Sequence, residues 1–422
     1  MTTTINNEHE KNQGRKVLNA PNLRFPEFEG EWEKCKVSDL LEFYSTNSLS
    51  WDKLEYGTSN IQNLHYGLIH VGLPTMVDVN KDDLPNIIDG NVPKNYELCK
   101  EGDIAFADAS EDTNEVAKAV EFYNLNGKKV VCGLHTIHGR DNKNKTVVGY
   151  KGYAFSSMSF HHQIRRIAQG TKIYSINSKN FSECYIGVPS KEEQRKIADL
   201  LRFIDERIAT QNKVIDKLQS LIKGINQEVF NEVGCSHKLG NICEIKSGYS
   251  GNQLIKKEGL KVSRIETISG HQINLERVGY VSPFKNSESY KLQIGDILFS
   301  NINSVEYIGN TAFVDKDYDL YHGMNLLRLI PNSKIVVPFY LYLLLNTCKM
   351  LNRFKTICNK AVSQASINQT DLGKTIIVLP SLENQIKICN IYEVLFSKIE
   401  AEERCLSLYN TQKQYLLRQM FI

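Results

Sequence analysis

Two globular modules of mixed α/β (α+β) type in tandem, each followed by a long helix, with the two helices pairing as an antiparallel coiled coil, make up the fold class that this 422-residue sequence predicts. Three observations lead there. Tyr185-Ile-Gly-Val-Pro-Ser190 recurs as Ile376-Ile-Val-Leu-Pro-Ser381, and at the same offset Ile176-Asn177 falls on Ile367-Asn368, Gln194 on Gln385, Lys196-Ile197 on Lys387-Ile388 and Phe230 on Phe421. Self-similarity at a fixed period points to a repeated structural unit. Each Pro-Ser segment runs into a stretch of heptad-spaced apolar residues. Each interior mixes short β-type runs with Gly and Asn turns, including Gly102-Asp-Ile-Ala-Phe106 and Gly295-Asp-Ile-Leu-Phe299.

In chain order, residues 1–20 are polar and charged with no apolar core and read as a disordered tail, not a secretory signal. The first module is expected over 21–190, with Trp32 to Phe43 as its opening. Its Gly-Asp segment reads as a turn leading into a strand, the Asp serving the turn. From Ile197 the apolar positions Leu200, Leu201, Ile204, Ile208, Val214, Ile215, Leu218, Leu221, Ile222 and Ile225 keep heptad spacing, so 191–234 is expected as one long helix. Ser190-x-x-Glu193 has the form of a capping box. The second module is expected over 235–380, opening at His237-Lys-Leu-Gly-Asn-Ile-Cys243, and its longest apolar run, Ile335 to Thr347, reads as a buried element. The second helix is expected over 381–422, with Ile388, Ile391, Leu395, Ile399, Leu406, Tyr409 and Leu416 on the seam and Gln211 and Glu402 as polar seam positions that set register.

The net charge of +3 says little, but its distribution says more. Lys128, Lys129, Arg140, Lys143, Lys145, Lys151, Arg165, Arg166 and Lys172 follow one another with Asp141 as the sole acid, and Lys334, Lys349, Arg353, Lys355, Lys360 and Lys374 hold the equivalent stretch of the second repeat. The ten cysteines include no Cys-x-x-Cys pair, which supports neither a zinc module nor a disulfide framework and fits a reducing, cytoplasmic setting. No run is long enough to span a bilayer. His161-His162 and the pair His135 and His138 have no Cys or carboxylate companion at ligand spacing, so no metal is expected. Gly373-Lys374-Thr375 has Asn368 where a phosphate-binding loop needs glycine. Pro-Pro dipeptides are absent, and with them the catalytic loop of adenine methyltransferases.

Taken with the opening Asn22-Leu-Arg-Phe-Pro-Glu-Phe28, the duplicated Pro-Ser helix starts and Gly-Asp-Ile-x-Phe turns closely resemble the specificity subunit of Type I restriction-modification enzymes. The resemblance implies a non-catalytic subunit with two target-recognition domains, each reading half of a bipartite site on double-stranded DNA, and helices that act as a ruler. It further implies two methyltransferase subunits carrying S-adenosylmethionine and two restriction subunits using ATP and magnesium, so that no cofactor is expected on this chain. Two other readings are a coiled-coil scaffold that binds protein only and a stand-alone nuclease or methyltransferase, which would need Asp103, Asp108 and Glu111 to hold magnesium.

Lys and Arg on phosphates supply affinity, while Arg, Asn, Gln and Lys on base edges supply sequence choice. The DNA-contacting candidates of the first module are Arg140, Asn142, Lys143, Asn144 and Lys145, in a polar loop after a strand, and His161, His162, Arg165, Arg166, Thr171 and Lys172. Those of the second module are Asn301, Asn303, Lys360, Ser363 and Gln364.

Overall fold

The opening strand of each module pairs with the strand that ends in Pro-Ser, and this closes the module at the root of its helix. Glu33–Lys36 lies antiparallel to Tyr185–Val188, and Cys235–Lys238 lies antiparallel to Ile376–Leu379. The computed structural model describes residues 19–58, 60–230, 234–361 and 364–422. The predicted tail falls almost wholly outside them. The chain forms two compact units, Met1–Lys213 with Arg404–Ile422, and Val214–Glu403.

In the first unit a five-stranded sheet runs in the order Glu42–Tyr44, Thr136–Arg140, Ile104–Ala107, Ala119–Asn124, Met76–Asp78. Ile104–Ala107 is buried at every position, as a central strand covered on both faces requires. Phe106 packs edge-on against Phe155 and Phe181, both with ring centroids 4.9 Å away. The second unit keeps the scheme in a four-stranded antiparallel sheet, Cys243–Ser247, Leu327–Pro331, Ile297–Phe299, Thr311–Phe313. Phe299 meets Phe354 edge-on at 5.0 Å. The apolar run of this unit becomes the buried helix Pro338–Leu345, with its proline in the first turn where a missing N–H costs nothing.

The long helices are Lys191–Val229 and Leu382–Gln419. Within the first unit they run antiparallel, because Gly187 abuts Ile422 while Asp205 pairs with Lys413 at 2.6 Å. Phe421 lies 6.0 Å from Tyr150 in the first unit, and Phe230 lies 5.4 Å from Tyr340 in the second. Each helix therefore begins in one unit and contributes its far end to the core of the other.

Two local expectations change. Ser190 Oγ accepts the Glu193 N–H at 3.3 Å as a cap should, but the Glu193 carboxylate turns away from the cap. It receives Arg24 at 2.7 and 2.8 Å and the Trp32 indole N–H at 3.3 Å, tying the Asn22–Phe28 segment to the helix start. Ile391 and Leu221, both assigned to the seam, are 48% and 49% exposed. Tyr392 is buried instead, donating to Asn226 and lying 6.1 Å from Phe230, so the module's aromatic cluster takes the neighbouring residue at this one turn, while Leu395, Ile399, Leu406, Tyr409 and Leu416 keep their partly or fully buried places. Among the described residues no helix is long and apolar enough to cross a membrane.

Candidate nucleic-acid interface

A duplicated framework supports surfaces that are not duplicated. Gln194, fully buried, accepts the Val147 N–H at 2.9 Å and donates to the carbonyls of Lys145 and Pro189 at 3.1 and 2.9 Å. Gln385 repeats this with the Val337 N–H at 2.9 Å and the carbonyls of Ile335 and Pro380 at 3.4 and 2.9 Å. A single amide on the first helical turn thus fixes the preceding strand and the loop above it, satisfying buried backbone groups that would otherwise be costly.

The Gly-Asp turn also carries the same chemistry twice. Gly102 and Gly295 sit at φ +84° and +94°, a region that favours glycine, and the following Asp accepts an N–H three residues back, Lys100 at 2.9 Å or Gln293 at 2.6 Å. Both carboxylates are buried and meet cations. Asp103 receives His138 at 2.7 Å and Arg140 twice at 2.8 Å, and Asp296 receives Arg328 at 2.6 Å. Burial pushes the Asp103 carboxyl up, but bonds from His138, Arg140 and the Lys100 N–H together hold it below the usual range. Burial dominates at Asp296 and raises it. The turn role expected for both Asp residues holds, with an added charge role.

This framework sorts the candidate residues to two ends of the first sheet. Ile137 pairs with Phe106 and Gly139 with Ile104, so Arg140 sits beside Asp103 while Thr136 sits beside Ala107. At about 3.3 Å per residue the two ends lie roughly 13 Å apart. At the Asp103 end, Arg140 is not in a loop as expected but closes the strand. It is 7% exposed and committed to Asp103, Glu97 at 2.7 Å and the Leu98 carbonyl at 2.8 Å, which removes it from the solvent-facing set. Asn142 donates to Glu42 at 2.6 Å and Tyr44 at 2.7 Å, Lys143 to the Asp39 carbonyl at 2.8 Å, and Lys145 to Glu33 at 2.6 Å. Asn144 turns the loop at φ +53°.

The other end carries a rim. Ala109–Ser110 pairs with Tyr174–Ser175, and Thr171 and Lys172 stand exposed in the tight hairpin between Gln169 and Ser175. Gly170 is required there, since a Cβ would lie 1.9 Å from the Ile173 carbonyl oxygen. Arg165 reaches Asn114 at 3.0 Å, beside this sheet, and Arg166 and His162 are exposed on the same helix. Burial, then Arg165, hold the His161 imidazole below its usual pKa, so it is neutral at pH 7. In the second unit the rim is three-stranded, Ile302–Asn303, Ala365–Ser366, Asn359–Lys360. It collects Asn303 and Lys360, both paired with Ala365, and Gln364 in the connecting turn, where its carbonyl accepts the Ala361 N–H at 2.8 Å. Asn301 binds the Ile367 backbone just before the rim. Ser363 lies outside the described residues.

Several rim residues of the first unit lie outside the candidates expected from the sequence. Trp51, His65 and Tyr66 form a ladder of rings 4.5 and 4.8 Å apart, and Tyr66 continues to His135 at 5.1 Å and His70 at 5.9 Å. His135 engages Asp108 at 3.1 Å and His70 the Ala109 carbonyl at 2.9 Å. Beside them opens a cavity of about 500 Å³ lined by Asn47, Asn91, Asn95, Leu134 and His135, among others. Amides, imidazoles and rings suit base edges and base faces. The exposed Trp51 and the Asn-rich stretch after Asn86 are the sequence features that could have flagged it. Asp103 and Asp108, candidates for a shared magnesium on the nuclease reading, are engaged at opposite ends of one strand by different partners.

Comparison with known proteins follows the same two-module division. The profile of the Type I restriction modification DNA specificity domain matches residues 75–220 and 236–407. The MjaX type I restriction enzyme specificity subunit of Methanocaldococcus jannaschii is 41% identical over 180 residues, which are 42% of this chain and 42% of that one. The Type I restriction enzyme EcoKI specificity subunit of Escherichia coli K12 is 21% identical over 300 residues, 65% of this chain and 64% of that one. The matched stretches thus span less than two thirds of either relative. The crystal structure of the Type-I restriction-modification system S subunit from M. genitalium aligns over 96% of this chain and 99% of that one, with a TM-score of 0.57 at 16% identity, a likeness of fold. With both of its modules matched, the chain belongs to the Type I restriction modification DNA specificity domain family.

Proposed function

We propose that this chain is the non-catalytic, sequence-reading subunit of a Type I restriction-modification complex, each unit reading one half of a bipartite site on double-stranded DNA. One observation carries the reading: the framework clamp recurs, Gln194 and Gln385 each making the same three backbone bonds, while the rims above differ in chemistry. The first rim offers His, Tyr, Asn and Arg side chains, the second Asn, Lys and Gln. Two like scaffolds with unlike reading surfaces suit two unlike half-sites. The candidate contacts are His162, Arg165, Arg166, Thr171 and Lys172 in the first unit, with Asn301, Asn303, Lys360 and Gln364 in the second. His161 supports them from beneath. Asn142 to Lys145 form an anchored shoulder whose lysines can still approach phosphates.

In this reading the paired helices fix the spacing of the half-sites. Two methyltransferase subunits, carrying S-adenosylmethionine, and two restriction subunits, using ATP and magnesium, supply the chemistry in the cytoplasm. Val394 and Leu408, 70% and 69% exposed on the second helix, are apolar surface of the kind that partner subunits cover. A protein-only scaffold would account for the helices but not for two polar rims in equivalent places.

The test is expression of the chain with a Type I methyltransferase subunit in a host lacking other modification enzymes, followed by single-molecule sequencing of methylated adenines. Methylation confined to one bipartite motif is expected. A partner subunit that co-purifies with the chain while the DNA gains no motif would refute sequence reading.

A further inference from the structure

Three donors from two separate stretches of the sequence meet inside the first unit. Cys99, Cys132 and His138 are all buried and each places a ligating atom within 4.8 Å of the others. We propose that Cys99 Sγ, Cys132 Sγ and His138 Nδ1 bind a zinc ion that braces the cavity side of the first unit.

The geometry of the thiols is the first argument. Their sulfurs are 3.6 Å apart. A disulfide needs about 2.05 Å. Two thiolates on a tetrahedral zinc, each about 2.3 Å from the metal, lie roughly 3.8 Å from one another, so the pair is already spaced as zinc ligands. The histidine is the second. Its Nε2 is held by Asp103 at 2.7 Å, and its Nδ1 is buried with no hydrogen-bond partner among the described residues. A ligating imidazole whose other nitrogen is fixed by a carboxylate is the usual outer-shell arrangement of a zinc site. Asp103 is in turn locked by Arg140 and the Lys100 N–H, so the ring plane is set before any ion arrives.

Charge is the third argument. Two thiolates and one neutral imidazole cancel the two positive charges of the ion, as a buried site demands. Binding releases the thiol protons to solvent, and a water completes the fourth position. The second unit cannot repeat the site. At the strand position equivalent to His138, opposite Leu298 as His138 is opposite Ala105, stands Arg328, whose guanidinium binds Asp296 and cannot ligate.

The placement gives the ion its purpose. Cys99 ends the segment that carries Asn91 and Asn95, and Cys132 precedes Leu134 and His135. One ion therefore ties together two walls of the cavity.

The test uses the full chain, purified with a tag that contains no histidine. About one zinc per chain is expected by elemental analysis, falling at least roughly tenfold in Cys99→Ser and in Cys132→Ser but not in Cys358→Ser. Cobalt exchanged into the wild-type chain should give thiolate-to-metal charge-transfer bands, a readout that no variant's folding can obscure. Wild-type chain that holds no zinc and gives no cobalt–thiolate band overturns the proposal. So does a Cys99→Ser variant that keeps its zinc, or a titration showing Cys99 and Cys132 oxidised to a disulfide.

Discussion

Replacing Gln194 by alanine should release the loop above the first helix without disturbing the second unit. The side chain is 0% exposed and makes three hydrogen bonds, all to backbone groups: the Val147 N–H and the carbonyls of Lys145 and Pro189. Each buried group left unmade costs about 1–3 kcal/mol. Water entering the vacated space recovers part of that, so a net loss of about 3 kcal/mol is expected. Val147 loses its acceptor outright, and about 3 kcal/mol corresponds to roughly a hundredfold faster amide exchange. Hydrogen exchange read by mass spectrometry on peptides spanning Asn144 to Tyr150 measures this directly. Gln194→Glu separates the donor from the acceptor role: it keeps an oxygen for Val147 but turns a carboxylate toward two carbonyls, and should be no better than alanine. Gln385→Ala should act in the same way on Val337 and spare Val147. If Val147 exchanges at its wild-type rate in Gln194→Ala, the clamp does not hold the loop, and the case for a shared framework loses its main support.

Three further outcomes follow from the geometry. Replacing Arg165 and Arg166 together by alanine should weaken DNA binding and lower the salt slope by about 2, at roughly 0.9 for each phosphate no longer neutralised; an unchanged slope strikes both from the interface. Inserting one heptad after Asn212 and another after Glu403 lengthens each helix by about 10 Å and should shift the permitted spacer by roughly three base pairs with both half-sites intact; a changed half-site contradicts the ruler. Burial pushes His322 down to about 4, so stability is full above the unfolded pKa near 6.5 and declines as pH falls from there to about 4, because the unfolded chain takes up a proton that the folded chain does not, costing about 3 kcal/mol. The urea midpoint of the second unit should drop across that window, and drop less in His322→Gln.

Much of the architecture is readable because duplication wrote it twice. The Pro-Ser strands, the Gly-Asp turns and the long helices need only local pattern, and Gln194 pairs with Gln385 in the sequence before either has a role. What the sequence hides is the pairing of distant segments. Asn142, Lys143 and Lys145 look like a free basic loop until Glu42, Asp39 and Glu33, about a hundred residues earlier, are folded against them. Arg140 reads as a loop residue because a strand's last position and a loop's first have the same sequence, and only the buried Asp103 distinguishes them. His138 shows no Cys or carboxylate companion at ligand spacing, yet the fold brings it Cys99, Cys132 and Asp103. Ile391 and Tyr392 differ by one position on a helix, and heptad counting cannot choose when a module's aromatic cluster also pulls.

The first unit is written in two pieces, with the whole of Val214–Glu403 inserted between them. Synthesis and folding therefore run in different orders. At roughly 5–20 residues per second, about 10–40 s separate the emergence of Lys213 from that of Arg404, and throughout that interval the apolar surface awaiting Leu417 and Phe421 is uncovered. The unit begun first is completed last, which makes the nascent first module the stage most exposed to chaperones and proteases.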